Sequence, residues 1–370
     1  MRLKPATRYR LSIVLQYAAI FQVLTLLFYL IHLLTLKIPE GGDIILYLDR
    51  RILIAVFPGM LVGFVDEFVL RRRFKGLPFG WALLIRTFFH TLLLAFSILI
   101  TYSLAGLSIN LFWLGGDAPG LLQVMQAELN RIDHFFQTLC FYALQITIAL
   151  SFFQIRRYIG RGRLLTFLTG KYIHPTWETN LLMFVDLKAS TTIAEHLNSS
   201  TYSEFIRDFV SDISEPIYVH NGRIYQYVGD EVVVYWPMSK NKRKNVRPLH
   251  CFVGMMEAIE KRKDKYYEKY GVKPQFKAGL HGGPIIVAEV GDLKKEIAFH
   301  GTVINTTSRI QAKCNELDTN FLISDYIIEH AELSPDYVPF SAGKFLLKGK
   351  VETMELFTVE KAEQAAKMKR

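Results

Sequence analysis

The sequence predicts two parts: a helical membrane domain of four spans, then an α+β domain of ferredoxin-like layout. Three observations predict it. Apolar residues crowd the chain up to about Tyr158. The remainder alternates short β-branched runs with amphipathic helical stretches. Arginine and lysine gather at three places along the apolar part. The 370 residues have room for two or three compact units. The expected division is a membrane domain at 1–158, a linker at 159–180, a soluble domain at 181–360 and a tail at 361–370.

Each span must cross about 30 Å of hydrocarbon, which takes roughly 20 helical residues. Four stretches are long enough: about Leu11–Leu36, Ile52–Leu70, Phe79–Leu104 and Phe136–Ile155. Arg2, Lys4, Arg8 and Arg10 precede the first; Arg71, Arg72, Arg73 and Lys75 separate the second from the third; Arg156, Arg157, Arg161 and Arg163 follow the fourth. The other two loops carry Glu40, Asp43, Asp117 and Glu128, with Lys37, Arg50 and Arg51 blurring the contrast. Positive charge stays inside, so both termini and the soluble domain are expected in the cytoplasm, at the cell (inner) membrane. The first apolar run is too long for a cleavable signal peptide and lacks a small-residue cleavage pattern.

Composition narrows the function classes. Apolar residues make up 51% of the chain and the net charge is +10. The basic residues flank apolar stretches and form no stripe with interleaved aromatics, which argues against a nucleic-acid partner. Cys140, Cys251 and Cys314 form no CxxC pair, so neither a disulfide frame nor a zinc site is expected. Asp66, Glu67, Arg86, His90, Gln16 and Gln145 lie in or near the spans. Intramembrane charge is a functional hint by default. The first three fall near cytoplasmic span ends, where pairing with one another or with headgroups is the favoured reading.

In the soluble part, Leu181–Leu187 reads as a buried strand and Ser190 as the cap of a helical stretch. A helix follows over Tyr202–His220, then a turn at Asn221-Gly222. Strands Arg223–Val228 and Glu231–Trp236 form a hairpin about Gly229-Asp230. Beyond a loop at Ser239–Pro248 come a helix over Leu249–Tyr270, a strand at Phe276–His281, a turn at Gly282-Gly283-Pro284 and a strand at Ile285–Val290. Helix Val303–Asn315, strand Phe321–Ser324 and strands near Phe345–Leu347 and Met354–Val359 complete the domain. This order implies helices covering one face of the sheet. The linker holds Gly160, Gly162, Gly170 and Pro175, so one rigid helix through it is not expected.

Asp186 ends a buried strand and Asp230 occupies the hairpin turn. A strand-end aspartate alone is more often a helix cap or turn former. Two of them at one sheet edge, with a backbone carbonyl, make a hard oxygen site for Mg²⁺ or Mn²⁺. Asn305 and Arg309 are four apart, on one face of a helix. Singly, Asn305, Arg309 and Lys348 have bland readings as surface or locally bonded residues.

The ordered blocks FVDLKASTT, YVGDEVVVYW, GLHGGPIIVAEVG, HGTVINTTSRI and LLKGK resemble the catalytic domain of class III adenylate and guanylate cyclases, over about Asn180–Glu360. The resemblance implies conversion of ATP or GTP to the 3′,5′-cyclic monophosphate and pyrophosphate. It assigns two metal ions, Mg²⁺ or Mn²⁺, to Asp186, Asp230 and the Leu187 carbonyl. Asn305 would orient the ribose, Arg309 would stabilise the α-phosphate charge, and Lys348 and Lys277 would contact phosphates. Since the family's aspartates and its Asn/Arg pair meet across a dimer interface, it also implies a homodimer. Gln226 and Ala298 stand at the base-reading positions and depart from the pattern. The Gln226 amide both donates and accepts, whereas the Ala298 side chain does neither. The absence of a guanine-selecting Glu favours ATP.

Three other readings stay open: a catalytically weak nucleotide-binding regulatory module, a diguanylate cyclase, and a channel or transporter. Against the second, Val228-Gly229-Asp230-Glu231-Val232 lacks the first Gly and the Phe of GGDEF, and no broken helix or internal repeat supports the third. The membrane domain is expected to sit in a lipid bilayer and to meet an unknown ligand or partner protein.

Overall fold

Alternation along one strand sets the layers of the soluble part. In β1 (Thr176–Leu187), Leu181, Met183, Val185 and Leu187 enter one core, while Leu182 and Phe184 enter another on the opposite face. A strand's side chains alternate with period 2, so Asp186 belongs to the second face. In the computed structural model, the described residues are 5–35, 56–70, 73–74, 77–112, 132–160, 163–335 and 337–361. The chain divides into two compact units, Met1–Tyr158 and Ile159–Arg370.

The first unit is helical: α1 (Pro5–Thr35), α2 (56–65, continuing as a π-helix over Asp66–Leu70), α3 (Phe79–Phe112) and α4 (Ile132–Ile159). Among the described residues, three helices are long and apolar enough to cross a membrane, with windows Arg10–Leu27, Phe79–Phe96 and Leu139–Arg156. The expected span Ile52–Leu70 is described only from residue 56. The loop expected around Asp117 and Glu128 lies outside the described residues at 113–131, and α3 runs on to Phe112. Polar groups face inward. The Tyr17 hydroxyl donates to Asp66 at 2.9 Å, Arg86 pairs with Asp66 at 3.7 Å, and the Gln145 amide donates to Thr25 at 3.1 Å. Leu15, Leu84, Phe88 and Leu144 are exposed. Polar inside and apolar outside is the inverse of a bundle dissolved in water.

The second unit starts with α5 (Arg163–Thr169) and then builds an eight-stranded mixed sheet. Its strands are β1, β2 (Arg223–Val228), β3 (Glu231–Pro237), β4 (Phe276–Val290), β5 (Glu296–His300), β6 (Phe321–Ser324), β7 (Tyr337–Phe345) and β8 (Met354–Lys361). They run in the order β2-β3-β1-β4-β6-β8-β7, with β5 on β4 and only β4–β6 parallel. Helices α6 (Ser190–His196), α7 (Ser199–Val219), α8 (Arg247–Glu260) and α9 (Lys263–Tyr270) come between β1 and β4; α10 (Thr302–Glu316) and α11 (Asp325–His330) flank β6.

Several expectations need correction. Helices cover both faces, not one. Phe205, Phe209, Ile213 and Ile217 of α7 and Met255 of α8 fill the first core, whereas α10 sends Val303 into the second and Ile310 and Cys314 into a third. The segment 276–290 is a single strand with no turn: Leu181↔Gly282, Asn180↔Gly283 and Thr179↔Pro284 keep the ladder with β1 unbroken. The expected helix Leu249–Tyr270 is two helices, parted at Lys261-Arg262, where no glycine or proline signals the break. Ser190 is not the cap of α6; that place belongs to Ala189, in the left-handed region at φ 54. Strand β1 begins inside the expected linker, β7 begins at Tyr337 and ends before Leu346, and β5 and α11 were not anticipated.

The glycine at 279 is there for close approach. A Cβ on it would lie 2.4 Å from the Gln311 backbone nitrogen, so α10 could not rest on β4. Gly279→Ala is expected to cost about 2–3 kcal/mol. A thermal melt of the full chain checks it; an unchanged midpoint would mean that α10 is free to move.

Candidate active site

The tip of β1 and the β2–β3 hairpin meet because β3 pairs antiparallel with β1, with Val185 opposite Val232. The hairpin loop is Gly229-Asp230, closed by Val228 opposite Glu231. Gly229 sits at φ 62, a conformation that two-residue loops require at their first central position and that glycine takes without strain. Asp186 and Asp230 are thereby brought together, close enough for each charge to act on its neighbours.

The corner holds more than the two expected aspartates. Lys277, opposite Asp186 on β4, places its ammonium 3.2 Å from the Asp186 carboxylate and 2.9 Å from the Asn315 carbonyl oxygen. It is only 6% exposed. Its ammonium thus engages a carboxylate and an amide rather than open solvent. The Gln311 amide donates to Asp186 at 3.0 Å. Glu231 adds a third carboxyl, and Tyr202 stands close enough to sense both aspartates. Burial raises the Asp186 carboxyl, opposed by the hydrogen bond from Lys277 and reinforced by the charge of Asp230. Glu231, Gln311 and Asn315 carry no pattern of their own in a single sequence; only the fold gathers them.

Three carboxyls against one ammonium leave an excess of negative charge. One oxygen of Asp230 is buried and without a hydrogen-bond partner. A buried carboxylate oxygen left so is costly unless a cation satisfies it. Among the described residues no three His, Cys, Asp or Glu side chains form a metal cage. The donors here are two carboxylates and the buried Leu187 segment, pinned where the Lys188 amide donates to the Gln275 carbonyl at 2.8 Å. That set suits Mg²⁺, which commonly takes one or two carboxylates and completes its shell with water and substrate phosphates.

Glu231 yields a pH prediction. Its carboxyl is pushed up to about 7, by burial first and then by the charges of Asp186 and Asp230. Between the ordinary value of 4.5 and about 7 the folded chain holds a proton that the unfolded chain has released. Stability from this group is therefore fully present below that window and is lost as pH rises through it. The metal-free melting temperature is expected to fall from about pH 5 to about pH 7.5, and Glu231→Gln to flatten the slope. A slope indifferent to that substitution would place its origin elsewhere.

The other expected residues lie apart from this corner. Asn305 is exposed and Arg309 half-buried, one turn apart on α10. The Arg309 guanidinium packs by Gly349: a Cβ there would lie 3.4 Å from both terminal nitrogens. Neighbouring Lys348 is exposed, so two cationic groups share this loop region. Gln311 is about 200° around the helix from Arg309. With Gln311 held on Asp186, α10 turns Arg309 away from the aspartates of its own chain. Gln226 is exposed on β2; Ala298, on β5, is half-buried opposite Ala288. His281 is buried against the Ser324 hydroxyl at 2.8 Å and held down at about 4, chiefly by burial.

Comparisons with known proteins bear on this arrangement. A family model described as "Adenylate and Guanylate cyclase catalytic domain" matches residues 174–361. "Adenylate cyclase 2" of Rhizobium meliloti (strain 1021) is 33% identical over 184 residues, 50% of this chain and 50% of that protein. "Adenylate cyclase 1" of the same organism is 22% identical over 182 residues, 48% of this chain and 27% of that protein. The chain thus spans half or less of the length of these relatives. A bacterial light-regulated adenylyl cyclase structure superposes with a TM-score of 0.50 at 18% identity, over 63% of this chain and 67% of that one. That last likeness concerns the fold alone.

Proposed function

The chain belongs to the adenylate and guanylate cyclase catalytic-domain family, and on that premise we propose a membrane-anchored homodimer that converts ATP to 3′,5′-cyclic AMP and pyrophosphate, with GTP as a second substrate. One observation carries the dimer: Gln311 rests on Asp186 while Arg309 sits by Gly349. Each chain thus offers an acidic corner and a separate basic face, and a twofold partner would bring one chain's face to the other's corner.

Asp186, Asp230 and the Leu187 carbonyl would hold two Mg²⁺ or Mn²⁺ ions. When bound, such ions lower the pKa of the ribose 3′-hydroxyl and neutralise phosphate charge. Asn305 orients the ribose for in-line attack on the α-phosphate. Arg309 donates to the phosphate oxygens as charge grows on them, where a preorganised donor matters most. Lys348 binds the terminal phosphates, and Lys277 reaches them once nucleotide draws it from Asp186. Gln226 meets the base by either edge of its amide; Ala298 leaves it room without reading it. The names of the relatives support adenine.

The buried polar groups and apolar surface of the first unit support a lipid bilayer as its surroundings. Four spans would put both termini and the cyclase domain in the cytoplasm, at the inner membrane, with a ligand or partner protein acting on the membrane part.

Product identification from the purified full chain given Mn²⁺-ATP and Mn²⁺-GTP, repeated with Asp186→Ala, tests this. Cyclic AMP that vanishes in the variant supports the proposal. Activity surviving in the variant removes the metal assignment. A nucleotide-binding regulatory module is the second reading, favoured by the lack of a base-reading atom at Ala298; nucleotide binding without product from either substrate would select it.

A further inference from the structure

A second charged site lies at the other end of the same strands. Leu181 of β1 borders it, five residues before Asp186, or roughly 17 Å along the strand. The cavity has a volume of about 250 Å³. None of the residues lining it is acidic. Arg223 from the start of β2, Lys244 from the 3₁₀ turn Lys242–Lys244 and Arg247 from the start of α8 line it, the Arg223 guanidinium also standing 6.0 Å from the centre of the Tyr235 ring.

Neighbouring basic residues already have partners. Arg243 pairs with Glu332 at 3.1 Å, and the Lys242 ammonium donates to the Glu329 carbonyl at 2.6 Å. Arg223, Lys244 and Arg247 face no carboxylate at ion-pair distance among the described residues. The charge of Arg247 is felt nearby: His220 is held below the usual imidazole range, by burial first and then by His250 and Arg247. Gathering three like charges opposes folding unless an anion joins them.

The cavity wall is fixed in advance. The Asn245 side chain accepts from the Ser239 amide at 2.8 Å and donates to the Ser239 and His330 carbonyls, each at 2.9 Å. The Trp236 indole donates to the His220 carbonyl at 3.0 Å. These bonds tie the loop to β3, α7 and α11 before any ligand arrives. The volume equals the liquid share of roughly eight waters, room for a phosphate or diphosphate with a few of its waters.

We propose that this pocket is a second anion site of the chain, which binds a compact phosphate group through Arg223, Lys244 and Arg247. Arginine forks match phosphate oxygens in pairs, and Lys244 adds a point charge. Both inorganic phosphate or pyrophosphate in solution and a phosphorylated lipid headgroup present this chemistry. The β2–β3 hairpin joins the pocket to Asp230, so occupancy bears on the acidic corner through one structural unit.

Calorimetric titration of inorganic phosphate tests the proposal, using the full chain in phosphatidylcholine nanodiscs. An Arg309→Ala/Lys348→Ala background removes two of the proposed phosphate contacts of the cyclase centre and keeps the two readings separable. One site per chain is expected, weakened about tenfold or more when Arg223→Gln and Arg247→Gln are added. Nanodiscs containing phosphatidylinositol 4-phosphate form the second arm, read as a rise in melting temperature over phosphatidylcholine alone that the same two substitutions abolish. Binding in the first arm names a soluble anion, and an effect in the second alone names a headgroup. Two results overturn the site: neither probe acting, or both acting undiminished on the substituted chain. Melting temperatures without phosphate should not fall in the Arg→Gln variants, since repulsion is relieved, so lost binding would not be lost folding.

Discussion

Alanine at Asp230 is expected to lower cyclic-nucleotide formation by about 10²–10³-fold or more while raising the melting temperature of the metal-free protein. The two effects have one origin. Asp230 holds a buried oxygen with no hydrogen-bond partner, beside Asp186 and Glu231. Without an ion that charge repels the carboxyls of Asp186 and Glu231, so deleting it relieves the corner. Asp186→Ala should abolish activity equally but act oppositely on stability. It strips the buried Lys277 of its half-buried carboxylate, and leaving a buried charge without its partner costs up to about 3–5 kcal/mol. Calorimetric melts of both variants in chelator, beside product assays with Mn²⁺, make the comparison. If both variants lose stability alike, the account of the acidic corner is wrong.

Activity regained by mixing two dead variants is the other large effect. Asp230→Ala spoils the corner and Arg309→Ala spoils the basic face, so each homodimer should be inactive. In a mixed dimer one site inherits both lesions and the other inherits neither. Random pairing makes half the dimers mixed, each with one good site, so about a quarter of wild-type activity should return on co-expression. Asp230→Ala mixed with Asp186→Ala should return none, because both lesions lie in the same half of the site. Recovery in that control, or none in the first mixture, would put the whole reaction centre in one chain.

How far this was readable from residues differs by element. The β2–β3 hairpin was legible because β-branched runs flank Gly229-Asp230, and the helix carrying Asn305 and Arg309 because its apolar spacing is regular. Strand β4 was misread because Gly282-Gly283-Pro284 has the composition of a turn; its glycines instead admit Leu181, Tyr326 and Val303. The break at Lys261-Arg262 had no local signal. It is accompanied by a tertiary contact, Arg262 to Asp212 at 3.0 Å, that a local reading does not contain. The two aspartates were found by their strand-end and turn contexts. Gln311 and Asn315 were not, since their partners lie 125 and 38 residues away in the chain.

The ammonium seated between Asp186 and Asn315 gives cofactor loading a particular thermodynamics. A divalent ion entering alone must evict Lys277 from a bond it already enjoys, so the empty chain should hold such ions weakly. A triphosphate that offers Lys277 another berth removes that competition, and ion and nucleotide then strengthen each other's hold by the same factor. Each ligand arriving by itself would leave soon; arriving as a pair, they stay.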